Sequence, residues 1–220
     1  AACDSIKDTL EYDFYTEKQF SYEGLSLQES VKHLAKFTSD IWQIHPFCEG
    51  NTRTTAVFVI KYMKTFGLEV SNDVFAEHSW YFRNALVRAN YNNLKNGIHA
   101  TTEYLELFFS NLLLNTNYEL KNRFIHVDYE SKLETGNIQS EMKNVLKGKN
   151  FTLNFTLEEL AILRLIAADP AITQKEIAVK IGKSDRTVKN KMAMLQDKQY
   201  IRRMNGKRNG RWEILVELPS

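Results

Sequence analysis

Residues 26–66 read SLQESVKHLAKFTSDIWQIHPFCEGNTRTTAVFVIKYMKTF, and this stretch decides the fold. Ser26 and Glu29 have the spacing of a capping box, so a helix starts at Ser26. Leu27, Val31, Leu34, Thr38, Ile41 and Trp42 then recur at helical spacing on one face. Pro46 disfavours helical backbone at His45, which predicts that the helix ends there. A short loop, PFCEGN, follows. Apolar residues then cover nearly every face of Thr54–Phe66, which predicts a buried central helix stopped by Gly67.

The pattern extends outward from this helix–loop–helix. Ser71, Asn72 and Asp73 offer a cap for one long helix to about Asn92, and another helix is expected from about Thr102 to Leu114. The aromatic segment upstream (Tyr12, Phe14, Tyr15, Phe20, Tyr22) alternates too irregularly to be read as a strand. Residues 115–150 are polar and rich in Asn and Lys, and read as a connector with a helix near 138–148. From Thr156 the pattern changes. Thr156/Glu159 and Thr173/Glu176 are two further capping boxes, and Ser184 or Asp185 opens a third helix with Val188, Met192 and Leu195 on its apolar side. Two short apolar segments around the turn NGKRNG then read as a β-hairpin. Three helices and a hairpin make a winged helix-turn-helix by pattern. The expected division is 1–115 for the helical core, 116–150 for the connector and 151–220 for the winged module.

Composition and charge agree with two parts. The chain has 220 residues, 43% hydrophobic and 25% charged, as folded globular proteins do. Its net charge of +2 is unevenly spread. Residues 151–220 hold 13 Lys+Arg against 8 Asp+Glu, and the remainder holds 16 against 19. Such asymmetry points to two domains with different partners. The longest apolar run in mid-chain, Ala56–Ile60, is far too short to span a membrane. Two Cys cannot build a disulfide framework, and no basic-then-apolar leader opens the sequence, so a cytoplasmic location is expected.

The loop His45–Arg53 carries the chemistry. Free backbone N–H groups at a helix N-terminus form an anion site, and Gly50 lets a phosphate approach the backbone. Asn51 adds an amide donor and Arg53 a cation. Glu49, set among phosphate binders, calls for a Mg²⁺ ion between carboxylate and phosphates. His45 is then the general base for an incoming hydroxyl. These parts together point to transfer of a phosphorus-centred group.

The same string resembles the Fic domain family, whose pattern is H-x-F-x-[D/E]-G-N-G-R-x-x-R. His45, Phe47, Glu49, Gly50, Asn51 and Arg53 match it, and the helical order resembles the family over roughly residues 5–115. The resemblance implies an all-α Fic-like helical core, followed here by the small winged helix-turn-helix domain. It implies a protein adenylyltransferase that moves AMP from ATP, with Mg²⁺, to a Ser, Thr or Tyr hydroxyl of a target protein. His45 would be the base and Glu49 the metal ligand. Gly50, Asn51, Thr52 and Arg53 would hold phosphate, while Phe47 would anchor the loop in the core. Tyr81 and Asn84 are candidates for contact with adenosine, and Glu11–Tyr22 for a target-docking hairpin.

Two positions depart from the pattern. Thr52 replaces the second Gly, and Ala56 replaces the second Arg, which in the family contacts the terminal phosphate and pairs with an inhibitory Glu. The inhibitory pattern [S/T]-x-x-x-E-[G/N] has no complete copy; Thr102–Glu106 has the spacing but is followed by Leu107. The related Doc toxins also lack the second Arg and act as protein kinases. A Doc-like transfer, or a DNA-binding regulator with a nucleotide-sensing or inactive core, therefore stays open. An antitoxin or a second copy of the chain are further partners consistent with the resemblance.

Residues 183–211 hold ten Lys+Arg and two Asp+Glu, enough to attract a DNA backbone. Arg186, Lys189 and Lys191 lie on the expected reading helix, and Lys207 and Arg208 on the wing. A protein-binding or dimerisation role for this module is the alternative. His33, His78, His99 and His126 lack metal-ligand spacing, and Cys48 has no orienting group beyond its sequence neighbour His45.

Overall fold

The computed structural model describes residues 5–127, 155–205 and 210–218. The helix expected near 138–148 lies outside the described residues, as do Lys207 and Arg208 at the tip of the hairpin.

The chain opens with helix α1 (Ile6–Gln19), not with a hairpin. No Gly or Pro interrupts residues 5–23, so nothing there favours a turn. The aromatic residues divide between its faces. Phe14 packs edge-on against Phe37 and Phe58, at 6.3 and 5.5 Å between ring centroids, while Tyr12 and Tyr15 stay exposed.

Helix α2 (Leu27–Ile44) begins at the predicted capping box. Ser26 Oγ accepts from Glu29 N–H at 3.3 Å, and a Glu29 carboxylate oxygen accepts from Ser26 N–H at 2.9 Å. Its predicted apolar face is buried, and α2 packs against α1, α3 (Asn51–Lys64), α5 (Ser79–Asn90) and α6 (Glu103–Leu114). The central helix is therefore α2. α3 buries one face only, through Thr55, Ala56, Val59 and Met63, and Val57 is half exposed. Its apolar run is broken by Thr54, Lys61 and Lys64, and Phe58 and Tyr62 are only partly covered.

The long helix expected from residue 71 is two helices, α4 (Asp73–Glu77) and α5, broken at His78 (φ −111°, ψ 31°). The break lets Phe75 turn inward onto Phe82 and Phe108, both 5.0 Å away between centroids. A short helix α7 (Asn122–Ile125) closes the core against α5.

Beneath α1–α3 lies a buried carboxylate. Glu17 accepts from Tyr22 Oη at 3.0 Å and from Tyr62 Oη, and meets His33 Nε2 at 2.7 Å. Phe20 stacks flat on the His33 ring. Burial, with Tyr62 and Glu17 nearby, pushes the Tyr22 phenol far above its ordinary value. His33 is thus a structural histidine.

The C-terminal module is the expected three helices and hairpin: α8 (Leu157–Ala168), α9 (Gln174–Ile181), α10 (Asp185–Asp197), β1 (Ile201–Met204) and β2 (Arg211–Ile214). Both predicted capping boxes are present, and Ser184 caps α10 by accepting from Thr187 N–H at 3.1 Å. The strands are antiparallel, with Ile201 opposite Ile214 and Met204 opposite Arg211.

The two parts are packed together. One apolar cluster runs from Leu34 and Phe108 through Leu160 and Ile177 to Trp212. Arg164 of α8 donates to the Leu113 carbonyl of α6 at 2.7 Å. Gly67, at φ +76°, lies directly against Ile181. A Cβ there would fall 2.5 Å from Ile181 Cγ2, closer than real contacts allow. Gly67→Ala should lower stability to urea by about 2–3 kcal/mol, from positive-φ strain plus the clash. Gly97→Ala is the control, because Gly97 also has positive φ (+69°) but open space around it. It should cost about 1 kcal/mol. Equal losses for the two variants would show that the Gly67–Ile181 contact imposes no constraint.

Candidate functional site

Pro46 has no N–H and forbids helical backbone before it, so α2 must stop at His45. His45 takes up the left-handed conformation (φ 50°, ψ 61°), and its N–H returns to the Trp42 carbonyl at 3.2 Å. The exposed imidazole is held on two sides. Its Nδ1 lies 3.3 Å from the Gln43 carbonyl, and its ring meets the Trp42 indole edge to face at 4.5 Å. With Nδ1–H donating to that carbonyl, Nε2 carries the lone pair, as a general base requires.

The loop then turns at Gly50 (φ 78°), which starts α3. The first intrahelical bond runs from Thr54 N–H to the Gly50 carbonyl at 2.9 Å. The N–H groups of Asn51, Thr52 and Arg53 precede it and have no side-chain cap, and the first turn holds no acidic residue. These donors lie at the positive end of the helix dipole. Arg53 folds its exposed guanidinium back over Gly50, where an added Cβ would sit 3.7 Å from Nη2. Glu49 is exposed beside this turn. Among the described residues no group of three or more His, Cys, Asp or Glu could hold a metal by itself. One carboxylate fits a Mg²⁺ ion whose other ligands are phosphate oxygens and water.

Of the loop residues, Phe47 differs from the expectation and Asn51 has partners within the loop. Asn51 is engaged within the loop: its Oδ1 accepts from Phe47 N–H at 3.0 Å, and its Nδ2 donates to the Phe47 carbonyl at 2.7 Å. Phe47 itself is 52% exposed, so it does not anchor the loop in the core. The amide clasp fixes the Phe47 backbone and leaves its ring outside.

Thr52 Oγ1 accepts from the Trp42 indole N–H at 3.1 Å. Trp42 therefore touches both His45 and Thr52 and ties the end of α2 to the start of α3. Sequence reasoning treated Trp42 only as an apolar helix position; the signal available was its placement one turn before His45. Ala56, at the position of the family's second Arg, is buried in the core.

The two adenosine candidates both have partners within the protein. Tyr81 is 2% exposed and packs in the core, where burial and then the neighbouring Tyr104 push its phenol well above the ordinary value. Asn84 donates to Asn122 Oδ1 at 2.8 Å and so faces α7. Another residue of α5 turns to α2: Asn90 Nδ2 donates to Ser39 Oγ at 2.9 Å.

On the winged module, Arg186 and Lys189 are exposed on one face of α10. Lys191 is not. Its side chain is 12% exposed and turned to Glu158 at 3.4 Å and Glu23 at 3.8 Å. Arg202 pairs with Glu213 across the strands, and Arg203 lies over the Trp212 ring at 4.7 Å. Of these five basic residues, two face outward on α10, one turns to Glu158 and Glu23, and two arginines are held on the hairpin.

Residues 5–63 match the family model described as Fic/DOC family, and residues 159–202 match one described as Winged helix-turn-helix DNA-binding. The chain carries a Fic/DOC family domain and a winged helix-turn-helix domain. The Fic/DOC match stops at Met63, near the end of α3, so it covers the loop and the helices on either side of it. No curated protein and no solved structure matches the chain. No helix among the described residues is long and apolar enough to cross a membrane.

Within the winged module Glu158 ties α8 to Lys183 and Lys191, and pH reports on it. Burial alone would raise its carboxyl, but the hydrogen bond from Lys183 at 2.9 Å and the charges of Lys183 and Lys191 outweigh burial and hold it below the ordinary 4.5. A carboxylate depressed in the folded state adds stability above its unfolded pKa and loses it as pH falls through the folded value. Urea stability should therefore decline between about pH 5 and 3, and the decline should be shallower in Glu158→Gln. Identical profiles for the two proteins would rule out this linkage.

Proposed function

We propose that the chain is a protein adenylyltransferase, with a Fic domain over 1–115, a connector over 116–150 and a winged helix-turn-helix over 151–220. The observation that carries the reading is the uncapped first turn of α3, with Arg53 folded over it and the His45 imidazole held one loop away.

ATP would place its phosphates on the N–H groups of Asn51, Thr52 and Arg53. Arg53 would offset their charge. Thr52 accepts from Trp42, which leaves its own O–H free to donate to a phosphate oxygen. His45 Nε2 would take the proton of the target hydroxyl as that oxygen attacks the α-phosphorus. The bond to the β-phosphate oxygen breaks, pyrophosphate leaves, and AMP remains on the hydroxyl. Mg²⁺ bound by Glu49 and phosphate oxygens would neutralise charge in that step. A reduced, cytoplasmic setting suits the free, exposed Cys48.

With Mg²⁺ and cell lysate, α-labelled ATP should transfer label to protein, and His45→Ala should abolish it, a loss of at least about 100-fold. Transfer from γ-labelled ATP alone would replace this reading with Doc-like phosphoryl transfer. No transfer from either, or equal transfer by His45→Ala, would overturn an enzymatic role for the loop.

The winged module supports a DNA-binding role through Arg186 and Lys189, the two α10 cations that face outward. Binding of the full chain to duplex DNA should weaken steeply with salt. Arg186→Ala and Lys189→Ala should each reduce the slope of log affinity against log salt by about 1. Lys191→Ala should leave the slope nearly unchanged. Salt-independent binding, or none at low salt, would leave protein contact as the module's role.

A further inference from the structure

Helix α10 has three differently used sides. Val188, Met192 and Leu195 are buried in the winged module. Thr187 and Lys191 line a cleft shared with Phe20, Tyr22 and Glu23 of the Fic domain. Arg186, Lys189, Asn190 and Ala193 are all exposed, and with 3.6 residues per turn they fall on the remaining side. The side chains of Arg186, Lys189 and Asn190 have no hydrogen-bond or ion-pair partner among the described residues. Charge on this side is graded along the axis. Arg186 and Lys189 lie within the first turn and a half, at the positive end of the helix dipole, while Asp197 closes the far end. Asp185, the acid at the near end, precedes Arg186 by one residue and so sits about 100° round the axis. A polyanion therefore meets the N-terminal half of this side.

We propose that Asn190 reads an adenine in the major groove of duplex DNA. The reason is reach. Arg186 and Lys189 are long enough to hold phosphates on the groove walls while the helix lies between them. Asn190 and Ala193 are short, so they touch only what the helix comes closest to, the base edges on the groove floor. Ala193, one turn beyond Asn190, adds no bulk that would hold the helix off. A side-chain amide presents one donor beside one acceptor. Adenine presents the N7 acceptor beside the N6 amino donor, so the two groups pair through two parallel hydrogen bonds. Guanine presents two acceptors on the same edge and would leave the Asn190 carbonyl oxygen unpaired. Cytosine offers only its amino donor there and thymine only a carbonyl acceptor. Gln196, the other exposed amide of α10, stands next to Asp197 at the end away from the cations.

The assignment rests on DNA binding by the winged module, as proposed above, and one experiment separates the two. The full chain selects from a randomised duplex pool at low salt, beside Asn190→Ala. Wild type should enrich one fixed adenine. Guanine in its place should weaken binding about 5- to 150-fold. 7-Deazaadenine, which lacks the N7 acceptor, should weaken it severalfold. Asn190 is exposed, so Asn190→Ala should keep the Tm and the salt slope of wild type. It should lose the adenine preference and bind adenine and 7-deazaadenine duplexes equally. Salt-dependent binding with no enriched adenine, or a preference that survives in Asn190→Ala, would overturn the role of Asn190 and leave DNA binding standing. Equal binding of wild type to adenine and 7-deazaadenine would do the same. No duplex bound at low salt would overturn DNA binding by the module and the Asn190 assignment with it.

Discussion

The Fic domain depends on how one side chain closes one loop. Asn51 holds both backbone polar groups of Phe47, at 3.0 and 2.7 Å, and so fixes the path between Pro46 and Gly50. That path decides everything the site can do. It sets the direction in which α3 leaves the loop and therefore where its three uncapped N–H groups point. It also keeps His45, already forced out of the helix by Pro46, at a fixed offset from that turn. An exposed hydrogen-bonded clasp contributes only about 1 kcal/mol each way to global stability. Its importance is geometric, since it fixes where the three N–H groups and the His45 imidazole stand relative to each other.

Trp42 adds a second tie across the same corner. Its indole N–H holds Thr52, and its ring holds the His45 imidazole. Where the family pattern has Gly, this chain has a hydroxyl already satisfied as an acceptor from the protein side. The substitution therefore does not simply fill the space of a glycine; it gives the turn an O–H donor oriented by its bond to Trp42. The buried Ala56 has no such compensation. It removes a cation from the face of α3 and gives packing in return, so any nucleotide held here relies on Arg53 and the backbone.

The features legible in the sequence were those with local causes. Capping boxes at Ser26, Thr156 and Thr173 were readable because a Ser or Thr and a Glu three residues later satisfy each other regardless of the rest of the fold. The end of α2 was readable because Pro46 acts on its immediate neighbour. The readings that failed needed long-range information. Whether α2 or α3 is central depends on which helix has neighbours on more sides, and both are apolar enough to serve. The α4–α5 break at His78 has no Gly or Pro to announce it; the gain is the packing of Phe75 on Phe82 and Phe108. Tyr81 looked available because helical periodicity gives a face, not the partner that covers it. That Asn51 clasps Phe47 was not legible, because the acceptor and donor it meets there stand opposite it only once the loop has closed.

The docking of the winged module follows from the same difference between local and distant causes. Lys191 belongs to the basic run of α10 and is indistinguishable in sequence from Lys189 two residues earlier. On a helix, two residues apart means roughly opposite faces. Lys189 faces outward, whereas Lys191 turns to Glu158 of its own module and Glu23 of the α1–α2 connection. Part of the basic charge that suggested a DNA reader is therefore neutralised inside the protein. The positive face left on α10 is narrower than the count of ten cations implies. Lys191 instead reaches toward Glu23 of the Fic domain, while Arg186 and Lys189 keep their charge on the outward face. Because Glu23 is 80% exposed, that pair contributes only about 0–1 kcal/mol, and it is the shared apolar cluster, not this ion pair, that holds the two parts together.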